Sequence, residues 1–369
     1  MLYFRFLSIL LCVVSCNSEK DDLRSVIVIF RHGDRTPLFP YPNDPYNEEK
    51  YWPEGLCQLT EIGKTQCFEL GKWLRNRYNN FLPAVYNMRD IHFRSTNRDR
   101  TLMSVGYLAA GLYGVRNSNS PTIVPIHSRP ILQDNLLLMR SVCPRYNELK
   151  RRVYQSSTYA DIHRKNEELF KFLSEKTGKT VRTVDDILEI FDTLRIEKKR
   201  NLKLPEWTLG VFPEPLKNLS LLSMSAEVSN KDMARLKPGL LLNWILEHFN
   251  HVLDEKPPFF FRDFKDTDYH QQKFVVFSCH DHVIVNILRT FGLFDMKWPY
   301  VSSALIFEYR GNDGKEKYVN FLYKNSTKNV AKLTLKNCSF NCPFHQFQKV
   351  VEPFAVNEEI WIKECLLKL

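Results

Sequence analysis

The sequence predicts an α/β fold, a doubly wound sheet whose chain is interrupted by a helical insertion. Three observations carry this expectation. Ser25-Val26-Ile27-Val28-Ile29-Phe30, Ile91-His92-Phe93-Arg94-Ser95 and Lys273-Phe274-Val275-Val276-Phe277-Ser278 are short apolar runs rich in β-branched and aromatic residues. Such runs suit strands covered on both faces. Amphipathic helical patterns follow each of them, giving the strand–helix alternation of a wound sheet. The middle of the chain, by contrast, reads as mainly helical.

In chain order, residues 1–18 come first. A short basic start, the apolar run Phe6 to Val14 and the small residues Ser15-Cys16-Asn17-Ser18 have the order of a secretory signal peptide. The run is too short to span a bilayer comfortably, and no later stretch reaches about 18 uninterrupted apolar residues. Residues 19–130 form the first part of the α/β body. Its first strand leads into a Pro-rich loop, Pro37 to Pro53, and Thr60 then caps a helix to about Tyr78. In that helix Ile62, Cys67, Leu70, Trp73 and Leu74 share one face. A second strand and a helix from about Asn97 to Leu112 complete this part.

Residues 131–251 are the expected insertion. Thr183 and Asp186 resemble a capping box ahead of Ile187, Leu188, Ile190, Phe191 and Leu194, and Leu240 to Phe249 is a further amphipathic helix. Residues 252–369 return to the α/β body with a third strand, a helix through Ile284 to Leu288, and a hairpin. In that hairpin, Ala304 to Arg310 and Tyr318 to Tyr323 flank Gly311-Asn312-Asp313-Gly314.

The 44% hydrophobic and 25% charged composition over 369 residues is that of a globular protein with a sizeable core. The net charge of +10 suits an anionic partner. Its basic residues are scattered, however, and runs such as Lys198-Lys199-Arg200 read as solvated helix surface; no nucleic acid is expected. Cleavage of the signal would remove Cys12 and Cys16 from the nine cysteines, leaving an odd number, most of which should pair in an oxidising compartment. Asn218, Asn325 and Asn337 head glycosylation sequons. The expected product is secreted, a lysosomal lumen being the less favoured address. It has no stable membrane anchor, and a homodimer is left open.

The polar residues that end the three strands carry the chemistry. Arg31, His32 and Arg35 follow the first, Arg94 closes the second, and His280 and Asp281 follow the third. Ligands of open α/β sheets collect beyond the carboxyl ends of strands, so these segments should meet there. Guanidinium groups match phosphate oxygens, and crowded together they repel one another unless a dianion lies between them. His32 can attack phosphorus when one ring nitrogen is bare and the other is hydrogen-bonded. Asp281 can protonate the leaving alkoxide and later deprotonate water. His280 adds a donor. Asp34, Arg98, Asp99, Arg100 and His127 are read as structural. A metal hydrolase using His32, Asp34, His280, Asp281 and His282 is the mechanistic rival, and the arginines argue against it because cations repel a metal ion.

Arg31-His32-Gly33-Asp34-Arg35-Thr36-Pro37 with a distant His280-Asp281 resembles the histidine acid phosphatase family, within the phosphoglycerate-mutase-like superfamily. Trp52-Pro53-Glu54-Gly55, Arg94-Ser95-Thr96, Asp99-Arg100-Thr101-Leu102 and Cys143-Pro144-Arg145 extend the likeness over essentially the whole mature chain. The resemblance implies an acid phosphatase acting on small phosphate monoesters, with His32 as nucleophile through a phosphohistidine and Asp281 as general acid/base. It implies Arg31, Arg35, Arg94 and His280 as phosphate ligands, no metal and no organic cofactor. It also implies disulfides Cys143–Cys365 and Cys338–Cys342. Cys57, Cys67 and Cys279 have no counterpart in the family pattern; a Cys57–Cys67 bridge is open, and Cys279 reads as a buried small residue. His282, where relatives often carry a small polar residue, is expected to point into its helix. Two other readings remain on the same fold: a phytase-like enzyme for inositol phosphates, which needs a wider basic rim, and a catalytically inactive secreted binding protein.

Overall fold

The structure is a computed structural model and describes residues 22–114, 122–138, 142–253, 272–312, 314–325 and 329–367. The expected signal peptide lies outside these residues, as do Ser326 and Thr327 of the Asn325 sequon. The strands are β1 (Leu23–Arg31), β2 (Ile91–Ser95), β3 (Phe274–Cys279), β4 (Ala304–Arg310), β5 (Tyr318–Lys324), β6 (Ala331–Leu333) and β7 (Cys342–Pro343). The helices of the first part are α1 (Glu61–Arg77) and α2 (Asp99–Tyr113). The middle of the chain forms α3 (Pro144–Tyr154), α4 (Ser157–Lys165), α5 (Glu167–Thr177), α6 (Val184–Lys199), α7 (Leu216–Ala226), α8 (Lys231–Leu236) and α9 (Gly239–Leu253). Then come α10 (Asp281–Thr290), α11 (Phe344–Val351) and α12 (Glu358–Leu366).

The strands join in the order β2-β3-β1-β4-β5-β6, with β7 paired to β5. β3 lies between β1 and β2, parallel to both, with Val276 opposite Val28 on one side and Phe93 on the other. The hairpin strands β4 and β5 then extend the sheet antiparallel, so it is mixed. Both faces are covered, as continuous apolar strands require. Val26, Val28 and Phe30 join Leu70, Leu74, Leu108 and Leu112 of α1 and α2. Ile27 and Ile29 face the other way, onto Leu241, Ile245, Ile284, Ile287 and Phe347 of α9, α10 and α11.

Two close approaches align the helices with the strand ends. Thr60 caps α1 by accepting the Gly63 amide at 3.0 Å. A Cβ on Gly71 would strike the Leu108 carbonyl and one on Gly111 the Phe68 carbonyl, so α1 and α2 pack backbone to backbone. A Cβ on Gly33 would likewise collide with Gly63, which presses the loop after β1 onto the start of α1.

The helical block has its own apolar cluster, with Ile187, Ile190, Phe191 and Leu194 of α6 packed among Leu173, Leu216 and Leu219. The Thr183–Asp186 capping box forms as read. Helix α9 falls within the expected insertion but packs against the sheet, because its apolar face matches the one left open by β1 and β3. Cys143–Cys365 and Cys338–Cys342 are disulfides. The Cys57–Cys67 bridge is not formed: the Cys57 thiol donates to the Leu38 carbonyl, while Cys67 is buried in α1 against Ser302. Asn218 and Asn337 are exposed, whereas the Asn325 side chain accepts from Tyr300 N and Tyr323 Oη.

The Pro-rich loop is held down along α6. Thr193 Oγ1 donates to the Phe39 carbonyl at 3.3 Å, and Arg200 pairs with Glu54 at 2.9 Å while lying over the Trp52 ring. Between these anchors, Asp44 (3% exposed) meets Glu197 (0%). Asp44 Oδ2 and both Glu197 oxygens have no donor besides one another's carboxyl, so the pair must hold a proton. Burial, then the charge of Asp44, pushes the Glu197 carboxyl up to about 9. A raised acid pKa gives stability that is present at low pH and lost as pH rises from the unfolded value toward the folded one. Glu197→Gln should therefore gain on the natural protein as pH rises from 5 to 9. We expect a difference in thermal midpoint that widens by about 3 °C or more over that range. A constant difference would show that the pair is not protonated.

Candidate active site

The site lies beyond the carboxyl ends of β1 and β3, where the starts of α2 and α10 also converge. Arg31 closes β1, and its backbone amide donates to the Ser303 carbonyl. His32 follows, with its amide bonded to the Cys279 carbonyl at 3.0 Å and its own carbonyl accepting from Ser302 N. The Gly33 amide donates to Ser104 Oγ of α2 at 3.1 Å. These bonds fix the loop from three neighbouring elements.

His32 is 2% exposed and lies in the wall of a cavity of about 420 Å³. Its Nδ1 is 2.8 Å from the Gly33 carbonyl, which can only accept. That assigns the proton to Nδ1 and leaves the Nε2 lone pair bare. Burial keeps the imidazole well below its usual pKa, helped by Arg100, Arg31, His280 and Arg35. His32 is thus neutral, with one nitrogen held by hydrogen bonding and the other available.

The cations around it are also buried and partly balanced. Arg31 Nη2 pairs with Asp281 Oδ2 at 2.8 Å, and its Nη1 donates to the Pro299 carbonyl. Arg35 Nη2 pairs with Asp192 at 2.8 Å. Burial lowers the Arg31 guanidinium to about 10, still charged at any working pH. His280 packs edge-on to His32 with ring centroids 5.5 Å apart. Arg100 Nη2 donates to His280 Nδ1 at 3.4 Å, so His280 Nε2 carries the proton it gives to Thr96 Oγ1 at 3.1 Å. Asp281 opens α10 and accepts from the His282 amide at 3.0 Å. Burial would raise its carboxyl, but Arg31, His282, Arg35 and Arg195 outweigh burial and hold it at about 2.

The structure therefore brings together Arg31, His32, Arg35, His280 and Asp281. Arg94 does not join them. Its guanidinium pairs with the fully buried Asp134 at 2.9 Å. Arg100, read from sequence as structural, stands in the cavity wall instead, and Arg98 lines it too. A signal for Arg100 was present, since it sits in the first turn of a helix that follows a sheet strand, and such turns open onto the same edge as the strand ends. His282 also departs from expectation. Rather than pointing into α10, it lines the cavity and stacks on His280. Asp34 is structural, its carboxylate bound by Thr60 Oγ1 and Lys199, so the five residues of a metal centre do not converge. His127 stacks on His92 and Asp99 accepts from Gln58, and neither lines the cavity.

Because Arg94 neutralises a buried carboxylate, Arg94→Ala should destabilise the protein by roughly 3–5 kcal/mol. The measurement is the denaturant midpoint. Joint replacement with Asp134→Leu should recover much of that loss.

The family model of the histidine phosphatase superfamily (branch 2) matches residues 22–324, a span that contains every residue of the cluster. Lysosomal acid phosphatase of Rattus norvegicus is 34% identical over 358 residues, covering 94% of this chain and 80% of that protein. Prostatic acid phosphatase of Bos taurus is 32% identical over 359 residues, covering 94% of this chain and 88% of its own length. The phytase of Klebsiella sp ASR1 shares the fold, with a TM-score of 0.65 and 16% identity over 95% of this chain and 100% of that one. With the strand-end loop at Arg31-His32-Gly33 and the distant His280-Asp281 assembled in one cavity, the chain belongs to the histidine phosphatase superfamily, branch 2.

Proposed function

We propose that the protein is a secreted acid phosphatase that hydrolyses small phosphate monoesters through a phosphohistidine on His32. The observation that carries this reading is the bare Nε2 of a neutral, buried imidazole set among guanidinium groups. Arg31, Arg35 and Arg100 would hold the phosphate oxygens and stabilise the charge that develops on them, and His280 would join them by turning its Nε2–H away from Thr96. As the His32–phosphorus bond forms and the ester bond breaks, Asp281 gives its proton to the leaving oxygen. It then takes a proton from the water that cleaves the phosphohistidine.

This sequence requires a protonated Asp281, yet Arg31, His282, Arg35 and Arg195 hold its carboxyl at about 2, in the ionised form. A bound dianion supplies the change. It competes for Arg31 and adds negative charge nearby, and both effects raise the carboxyl's affinity for a proton. An acidic optimum follows, because uptake of that proton is easiest at low pH.

Secretion rests on the order of residues 1–18 and on two disulfides, which persist in oxidising compartments. Exposed Asn218 and Asn337 are the better glycosylation candidates, since the Asn325 amide oxygen is engaged within the fold. Among the described residues no helix is long and apolar enough to cross a membrane. Small monoesters are favoured over inositol polyphosphates, because Lys150 and Lys179 by the outer wall are already paired with Asp185 and Glu189, which leaves little of a wide basic rim there.

His32→Ala should abolish turnover of an aryl phosphate near pH 5; wild-type activity in that variant would remove His32 as nucleophile. Arg100→Ala should lower kcat/KM by about 10²–10³-fold, and an unchanged value would return the role to Arg94. Sulfate, a dianion throughout the working range, should bind at pH 5 with uptake of protons. Calorimetry in buffers of different ionisation enthalpy reads that uptake, and Asp281→Asn should take up about one proton fewer.

A further inference from the structure

Phe39 and Trp298 both stand in the cavity wall, and the proposed mechanism gives neither a task. Phe39 is 68% exposed, a large apolar ring left open to water beside a cationic site. Trp298 is half-buried, its ring packed on Phe191 with centroids 5.4 Å apart and the Arg195 guanidinium 5.1 Å from its centre. The backbone ties both to the reacting end. Phe39 follows Arg35 by four residues, and Trp298 precedes Pro299, whose carbonyl accepts from Arg31. Helix α6 supplies the surface between them. Leu188, Glu189, Asp192 and Thr193 line the cavity, and the four-residue spacing of Leu188 to Asp192 and of Glu189 to Thr193 puts them on one face. Phe191 and Arg195, which hold Trp298, border that face on one side. Thr193, whose hydroxyl donates to the Phe39 carbonyl at 3.3 Å, borders it on the other.

This surface carries little free charge. Asp192 is bound by Arg35 and Arg195, each at 2.8 Å, and Glu189 pairs with Lys179. We infer that Phe39 and Trp298 are specificity-determining residues that take the flat ring of an aromatic leaving group between them. The inference rests on the phosphatase reading above and names the ester that the same site prefers. With the phosphate at Arg35, which is itself paired to Asp192, the leaving group extends along the α6 face toward Leu188. A ring lying there covers apolar surface that water otherwise wets. Aromatic side chains also attract a planar π-system beyond what buried area alone supplies, and a flexible alkyl chain does not share that gain.

Phosphonates, which are not hydrolysed, separate this contact from turnover. At pH 5 the natural protein should bind phenylphosphonate more tightly than hexylphosphonate, and about tenfold or more tightly than methylphosphonate. Phe39→Ala should weaken phenylphosphonate about 5–20-fold and methylphosphonate by no more than about twofold. Phe39→Tyr, which keeps a ring, should retain the natural order. Trp298→Leu should act in the same direction as Phe39→Ala. Because Phe39 is exposed, its variants keep the fold and decide the question by themselves. A loss shared equally by phenyl- and methylphosphonate, no loss in either variant, or tighter binding of the hexyl than of the phenyl compound would overturn the proposal. Failure of the parent reading looks different: His32→Ala would then still hydrolyse phenyl phosphate, whatever the order of the phosphonates.

Discussion

The fold is arranged around one electrostatic constraint. Arg31, Arg35 and Arg100 are brought together beside a neutral His32 in a space largely shut off from water. Guanidinium groups so placed repel one another, and the cost is met by carboxylates delivered from distant segments, Asp281 from α10 and Asp192 from α6. The sheet, the glycine contacts that lock α1 to α2, and the strap along α6 all serve to hold these opposed charges in register. The residual positive field is then available to an anion.

Much of this was legible in the sequence. The three parallel strands, the capped α1, the hairpin and both disulfides follow from periodicity, capping chemistry and family likeness. What escaped reading has physical reasons. β6 and β7 span a few residues each and lack any periodic signal. Helix α9 was assigned to the insertion because the sequence shows that its face is apolar but not which layer meets it. Arg94 and Arg100 both sit near the end of the second strand unit, and only the position of Asp134 decides between them. His282 looks like any helical residue until the cavity wall is assembled and its ring lies against His280.

The cavity has two characters. Its inner end carries His32, Arg35, Arg98 and Arg100, whereas its outer wall mixes Phe39, Leu188 and Trp298 with acidic side chains. The helical block supplies most of that outer wall, while the loops beyond the strand ends supply the charged inner end. The same division explains why a strap pinned to α6 by a protonated carboxyl pair matters to the site: Leu38 and Phe39 ride on it.

The strand order has a consequence for biogenesis. β3 wedges between β1 and β2 although it is made after both, separated from β2 by the whole helical block. Until residues 274–279 leave the ribosome, the two earlier strands lack their shared partner and expose unpaired edges. Long-range parallel pairing of this kind is slow and open to misassociation. The nascent chain is therefore open to misassociation until β3 is made. The phosphate cavity, which needs the turn straight after β3, closes only near the end of synthesis, so the chain stays inert while it is being made.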